Sequence, residues 1–304
     1  MDYVLQRLLH GVLTLLAVTI VVFLLSRLSG DPLSLILDPA ATAADRAVEL
    51  ARLGLDRSYI DQYLIFLGNA LGGDFGESIF YKAPAFSVFM QHLPATLELG
   101  VVAIAVSAAI AIPAGVVSAV RKGGILDTAA KAFALTGQSA PIFWIALMLV
   151  LVFSVVLGWL PTSGRGGLSH LVLPALTLGW YSNAFLMRVT RSSMLDVLDA
   201  DYIRLARLEG LPERRIVWVH ALKNAAGTIV TTLGLMTISL VTGAVVTETV
   251  FAWPGVGRLI VESIFHRDFP VVQAAVTVIA AIVILINLAV DLIFAWIDPR
   301  VRLG

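Results

Sequence analysis

The chain predicts an all-α membrane protein with about six transmembrane helices. Three observations carry that. Of its 304 residues, 59% are hydrophobic and 14% charged, with a mean hydropathy of +0.91, which is more apolar surface than a soluble domain of this length can bury. Apolar runs long enough to cross a hydrocarbon core of about 30 Å fall near 8–28, 96–120, 132–158, 171–190, 226–249 and 273–297. Between them Arg7, Arg121, Lys122, Lys131, Arg188, Arg191, Arg204, Arg207, Arg214, Arg215, Lys223, Arg300 and Arg302 gather on one side, which the positive-inside bias makes cytoplasmic.

The first run, Leu8 to Leu28, is about 30 Å long as a helix and reads as a retained span (1–28), not the shorter core of a cleaved leader. Residues 29–95 follow on the opposite side, with Asp31, Asp38, Asp45, Glu49, Asp56, Asp61, Asp74 and Glu77 against four basic residues. Two short surface helices are expected there, over Ala43–Leu53 and over Tyr59–Leu71, the second with apolar positions at Tyr59, Ile60, Tyr63, Leu64, Leu67 and Leu71. Gly72-Gly73-Asp74-Phe75-Gly76 ends that pattern, and Pro84 and Pro94 punctuate the approach to the second span. The segment reads either as a tethered loop or as a small lid or receptor-contacting subdomain.

The core is expected over 96–298, with a charged element at 196–225 and a tail at 299–304. Both termini then lie inside. The short inner connection Arg121–Lys131 reads as charge that sets topology. In 196–225, Leu198, Tyr202, Leu205 and Ala206 share a helical face, and Arg204 and Arg207 point the other way. Gly210 suits the left-handed position past a helix end, and Pro212 suits the first turn of the next helix. A tight corner with exposed guanidinium groups can fit a groove in a soluble partner and pass its displacement to the attached spans.

Here the residues carry a resemblance. Asp201-Tyr202, Arg204, Ala206-Arg207, Gly210 and His220-Ala221-Leu222-Lys223-Asn224-Ala225 resemble the coupling motif of ABC importer permeases, in the dipeptide/oligopeptide/nickel branch. The motif of the wider superfamily begins Glu-Ala-Ala, where this chain has Arg204, Leu205 and Ala206, and its late Pro is Lys223 here. Other blocks resemble the branch too: Gly30-Asp31-Pro32, Gly73 to Ser78, Leu93 to Leu99, Leu173 to Gly179, Val250 to Leu259, Arg267-Asp268-Phe269-Pro270, Asn287 to Asp291 and Asp298-Pro299-Arg300. The resemblance implies a type I ABC importer permease fold in a bacterial cytoplasmic (inner) membrane. It implies a second homologous permease subunit, two ATP-binding subunits, an extracytoplasmic solute-binding protein and the lipid bilayer as partners. Its cargo class is peptides, glutathione or nickel. It also implies that Asp201, Tyr202, Arg204, Ala206, Arg207 and Gly210 couple to the ATPases.

The remaining polar residues stay open between two roles. Asn287 and Asp291, one helical turn apart in the last span, either lock neighbouring helices by hydrogen bonds or touch the pathway. Glu248, at the outer end of the fifth span, meets the other permease, the cargo or headgroup water. Trp253 reads as a headgroup anchor beside a Pro-Gly turn, or, by the resemblance, as part of an outer connection Val250–Gln273 that closes the mouth and meets the receptor. Arg258, Glu262, Arg267 and Asp268 would supply its polar contacts. No Gly-x-x-x-x-Gly-Lys-Ser/Thr loop occurs, so ATP hydrolysis belongs to another subunit and the chain is not expected to be an enzyme. There is no cysteine, the charges balance at 21 basic and 21 acidic residues, and no cofactor, metal site or nucleic-acid partner is expected. An ion-driven secondary carrier is the competing reading: Pro113 and Pro141 could mark broken helices, but no internal duplication accompanies them.

Overall fold

The computed structural model describes residues 2–28, 42, 44, 48, 50–51 and 56–297, with the side chains at 2–4, 136, 138, 181, 238–243 and 290–297 outside that description. The Gly30-Asp31-Pro32 and Asp298-Pro299-Arg300 blocks and the 299–304 tail lie outside the described residues, as does most of the expected Ala43–Leu53 helix. The described residues form helices joined by turns, plus one antiparallel bridge, Glu77 with Pro84. The chain divides into two compact units, one of Met1–Pro94 with Arg258–Leu288 and the other of Ala95–Gly257 with Ala289–Gly304.

In the first unit, α1 (Asp2–Leu28) is apolar along nearly its whole length. Gly11 lets it approach the last helix closely, since a Cβ there would lie 2.8 Å from Ile284. The Gln273 amide donates to Ser26 Oγ at 2.8 Å, a polar tie of the kind that holds membrane helices together. Helix α2 (Tyr59–Leu71) starts where Ser58 Oγ accepts from the Asp61 amide, a cap worth about 1 kcal/mol. It stops at Gly72, and Gly73 and Gly76 take φ of +78° and +84°. The helix has the expected bounds and keeps Tyr63 and Leu67 of its expected apolar face, but the packed stripe is rolled toward Gln62 and Phe66. Gln62 is buried, and Tyr63 and Phe66 pack on Phe23 with ring centroids 5.5 and 5.9 Å apart. The helix joins Phe23 of α1 through the stripe that reaches that ring, Leu67 and Ala70 are half-buried, and Tyr59, Ile60, Leu64 and Leu71 stay exposed.

The second unit holds most of the predicted spans. Helix α3 (Ala85–Val120) runs through Pro94 and Pro113 without interruption. Pro141 does break the third span: α4 (Ile125–Ser139) ends before it and α5 (Ile142–Leu149) starts after it, continuing as a π-helical stretch, Val150–Val156. A proline lacks the N–H for the ladder and pushes its predecessor out of the helical region. Then come α6 (Leu168–Leu198), the short α7 (Asp201–Leu208), a helical turn Glu213–Arg215 with a π-helical stretch Ile216–Ala221, and α8 (Leu222–Val250). Helices α9 (Val256–Phe265) and α10 (Phe269–Ile297), which belong largely to the first unit, are the last of the described elements.

Among the described residues, three helices are long and apolar enough to cross a membrane by themselves, over Leu5–Leu28, Ala85–Val120 and Phe269–Ala289, and Ile142–Val156 and Leu168–Trp180 are shorter apolar stretches. Helix α6 is less apolar because it carries Thr177, Ser182, Asn183 and Thr190, all buried. It lies inside its unit. Small residues bring its neighbours close: a Cβ at Gly115 would sit 2.8 Å from the Met187 carbonyl, and one at Gly179 would sit 2.7 Å from Ser107 Oγ.

Candidate functional site

The charged element is an ordered elbow. Helix α6 ends at Leu198, Ala200 takes an extended conformation, and α7 begins at Asp201. After Glu209, Gly210 adopts φ +78° and donates its N–H to the Arg207 carbonyl, while the Leu211 N–H donates to Ala206. That left-handed stop is costly for any residue with a Cβ. Pro212 then precedes Glu213 as the extended cap residue, one position before the first helical turn where it was expected. Across the corner the Arg207 guanidinium grips Glu213 by two bonds, Nη2 to Oε1 at 2.9 Å and Nε to Oε2 at 3.2 Å. That partner holds the Glu213 carboxyl below its ordinary pKa and raises that of Arg207. Both groups are well exposed, so the pair is worth at most about 1 kcal/mol and serves mainly to fix direction.

What ties α7 to the protein is Ile203, fully buried in a core with Met194, Leu198 and Ile216. The apolar face expected from Leu198, Tyr202, Leu205 and Ala206 is therefore split. Leu198 ends the preceding helix and Ala206 packs on the core, whereas Tyr202 and Leu205 are 47% and 56% exposed, with Leu208 beyond them at 85%. The reason is that α7 is a separate helix whose roll follows Ile203. The elbow presents an apolar knuckle flanked by Arg204, whose own contact with Asp201 is a loose 3.4 Å between exposed groups.

The inner connection does more than carry charge. Asp127 in the first turn of α4 is fully buried and accepts from Arg191 Nε at 2.7 Å, Lys131 Nζ at 2.8 Å, Ser118 Oγ at 2.6 Å and the Gly123 amide at 2.9 Å. These donors, Arg191 first, hold its carboxyl far below the ordinary carboxylate range. The cluster joins α3, α4 and α6 two turns before the elbow. Only Lys131, four residues on, was visible by spacing; Ser118 and Arg191 were not.

Glu248 and Trp253 form a second cluster in the same unit, and both are fully buried. Thr96 Oγ1 donates to Glu248 Oε1 at 2.6 Å and accepts the Val256 amide at 2.7 Å. The Glu248 carboxylate rests on Gly255 and Gly257, either of which would strike it if it carried a Cβ. The carboxyl group thus sits at the N-terminus of α9. Trp253 Nε1 donates to the Ala95 carbonyl at 2.8 Å. A headgroup anchor is partly exposed, so that role does not fit Trp253. Over it lies Arg165, 5.9 Å from the ring, bound to Glu98 at 2.6 Å.

In the first unit Arg258 pairs with Glu262 at 2.6 Å. Asp268 is buried, accepting from Ser78 Oγ at 2.5 Å and from the amides of Ile79 and Phe80. Its carboxylate is spent on the loop that follows Gly76. Beside it Arg267 is exposed with φ +53°, and the His266 ring stacks on Phe80 at 4.0 Å. Asn287 is exposed on α10, and the Asp291 side chain lies outside the described residues.

The described fold is a set of apolar helices, several of membrane-crossing length, with an ordered charged elbow between α6 and α8, the build of a multi-pass membrane protein. Residues 111–303 match the family described as "Binding-protein-dependent transport system inner membrane component". The chain is 38% identical to the dipeptide transport system permease protein DppB of Escherichia coli (strain K12), 41% to the oligopeptide transport system permease protein AppB of Bacillus subtilis (strain 168), and 40% to the glutathione transport system permease protein GsiC of Escherichia coli (strain K12), each over 99% of both chains. In fold it is similar to the MetNI methionine ABC transporter in its inward-facing conformation, with TM-score 0.60 at 20% identity over 69% of this chain and 96% of that one. An amino acid ABC transporter gives TM-score 0.52 at 15% identity, over 68% and 93%. The chain belongs to the binding-protein-dependent inner-membrane transport family and is a multi-pass permease component of an ABC importer.

Proposed function

We propose that the chain forms half of the passage for short peptides in an importer built from two related permeases, two ATP-binding subunits and an extracytoplasmic binding protein. The observation that carries the cargo class is the end-to-end similarity to permeases of dipeptide, oligopeptide and glutathione systems, since glutathione is itself a small peptide. The basic residues of the inner connections support a cytoplasmic elbow and cytoplasmic termini.

In this reading Tyr202, Leu205 and Leu208 enter a groove on an ATPase, Arg204 and Arg207 border it, and Asp201 and Gly210 fix the two ends of the lever. Ile203 and Ala206 carry its motion into α6 and α8. Closure of the ATPases on ATP favours one arrangement of the spans, and only that difference in contacts between states can do work on the passage. At the outer side Glu248 and Trp253 stiffen the mouth, Arg258 and Arg267 offer a surface to the binding protein, and Asp268 acts through the loop it holds. Asn287 and Asp291 contribute polar ties between spans. Membrane segment 1–28, outer segment 29–95, core 96–298 with the elbow at 196–225, and inner tail 299–304 are the parts.

The test is the ligand. The binding protein that stimulates ATPase activity of the reconstituted assembly is purified with its cargo, which is identified by mass spectrometry. Peptides of a few residues support the reading. A bound metal or metal chelate overturns the cargo class.

A further inference from the structure

On the elbow side of the second unit, a cleft of about 220 Å³ opens between the end of α3 and the start of the Glu213–Ala221 segment. Its apolar walls are Val116, Val120 and Val217, and Trp218, 41% exposed, forms one edge. Two guanidinium groups, Arg121 and Arg214, stand at its rim, and both are exposed. Glu213 also lines it, yet its carboxylate is already held by Arg207 at 2.9 and 3.2 Å. Among the described residues neither Arg121 nor Arg214 makes an ion pair, so the rim keeps a net positive charge. Arg121 directly follows the C-terminus of α3, a helix long and apolar enough to cross a membrane.

We infer that this cleft binds one anionic phospholipid of the cytoplasmic leaflet, its phosphate between Arg121 and Arg214 and an acyl chain along the valines beside Trp218. Guanidinium groups match phosphate oxygens by paired hydrogen bonds. A soluble anion would not use the apolar wall, and a neutral lipid would leave the two cations unmatched. Basic pockets beside membrane helices on the cytoplasmic side suit such headgroups. The leaflet rests on the cytoplasmic placement proposed above; the lipid's chemistry does not. A lipid wedged here touches both α3 and the segment that leads from the elbow into α8, the parts that must shift together when the elbow moves.

The assembled transporter is purified in mild detergent, and retained phosphatidylglycerol is counted by native mass spectrometry. The variant Arg121→Gln with Arg214→Gln should bind it about 30-fold more weakly, the weight of two interfacial cations. The control Lys122→Gln with Arg215→Gln, adjacent cations that do not line the cleft, should retain the wild-type amount. Should the double variant fail to assemble, the wild-type complex decides in nanodiscs. Phosphatidylglycerol with brominated acyl chains should quench a fluorescence component that Trp218→Phe removes, and brominated phosphatidylcholine should quench it much less. Equal retention in variant and control overturns the inference. So does equal quenching by the two lipids, or displacement of the lipid by inorganic phosphate alone. None of these readouts uses peptide, so failure of the cargo reading leaves this test intact.

Discussion

Truncating Ile203 tests how the elbow is held. Helix α7 has 8 residues, too short to persist by its own backbone, and Ile203 is its one fully buried side chain. The other ties are weak: Arg207 with Glu213 is an exposed pair, and Arg204 with Asp201 is looser still. Replacing a fully buried isoleucine by alanine costs about 2–5 kcal/mol, against about 1 kcal/mol at most for an exposed ion pair. Even the lower figure raises the local opening equilibrium about 30-fold. Hydrogen–deuterium exchange on the reconstituted transporter should therefore show the amides of 201–208 in Ile203→Ala exchanging faster by at least that order, while those of α3 and α6 keep their protection. Transport should fall with ATPase activity less affected, because the handle is loose while the engine is intact. Wild-type exchange over 201–208 in Ile203→Ala, or a larger effect from Arg207→Ala, would refute the claim that the buried isoleucine holds the lever.

Three further outcomes follow from the same geometry. Gly210→Ala forces a Cβ into a left-handed backbone at a cost of about 1–2 kcal/mol, so uptake should drop while membrane insertion, followed by protease accessibility, stays as in wild type. Arg191→Gln should lower the melting temperature more than Arg191→Gln combined with Asp127→Asn, because the single change leaves a buried carboxylate short of its main donor. The sign with pH follows from the depressed Asp127 carboxyl: its stabilisation is full above the ordinary carboxylate pKa and fades progressively below it. Thermal scans in acid should consequently show a steeper decline for wild type than for Arg191→Gln. Gly255→Ala should destabilise the outer cluster and be rescued by Glu248→Ala, since the three atoms nearest the added Cβ all belong to that side chain. Gly257→Ala should not be rescued, because its Cβ also meets the Val245 backbone, and expression with size-exclusion profiles separates the two.

The parts legible in the sequence were those set by local chemistry. The Gly210 corner, the bounds of α2 between Ser58 and Gly72, and the approximate positions of the spans need only backbone preferences and hydropathy. The face that each short helix buries was not legible, because amphipathic spacing allows several and the neighbours choose: Ile203 won over Tyr202 and Leu205, and Phe66 over Leu64. Nor did the prolines declare themselves, since Pro113 rides inside α3 while Pro141 ends α4. The buried clusters were hidden by distance along the chain. Arg191 reaches Asp127 across 64 residues and Thr96 reaches Glu248 across 152, separations at which no spacing rule operates. The resemblance marked Asp268 as an outer-surface residue, and only its burial under Ser78 turned it into a holder of the loop.

The central claim is that this chain is a passive half-passage moved through its elbow. Proteoliposomes containing the permease pair, the ATPases and the cognate binding protein should accumulate a labelled dipeptide only when ATP is supplied on the elbow side. Vesicles holding this chain alone, under a proton or sodium gradient, should accumulate none. Gradient-driven accumulation by the isolated chain would contradict the account.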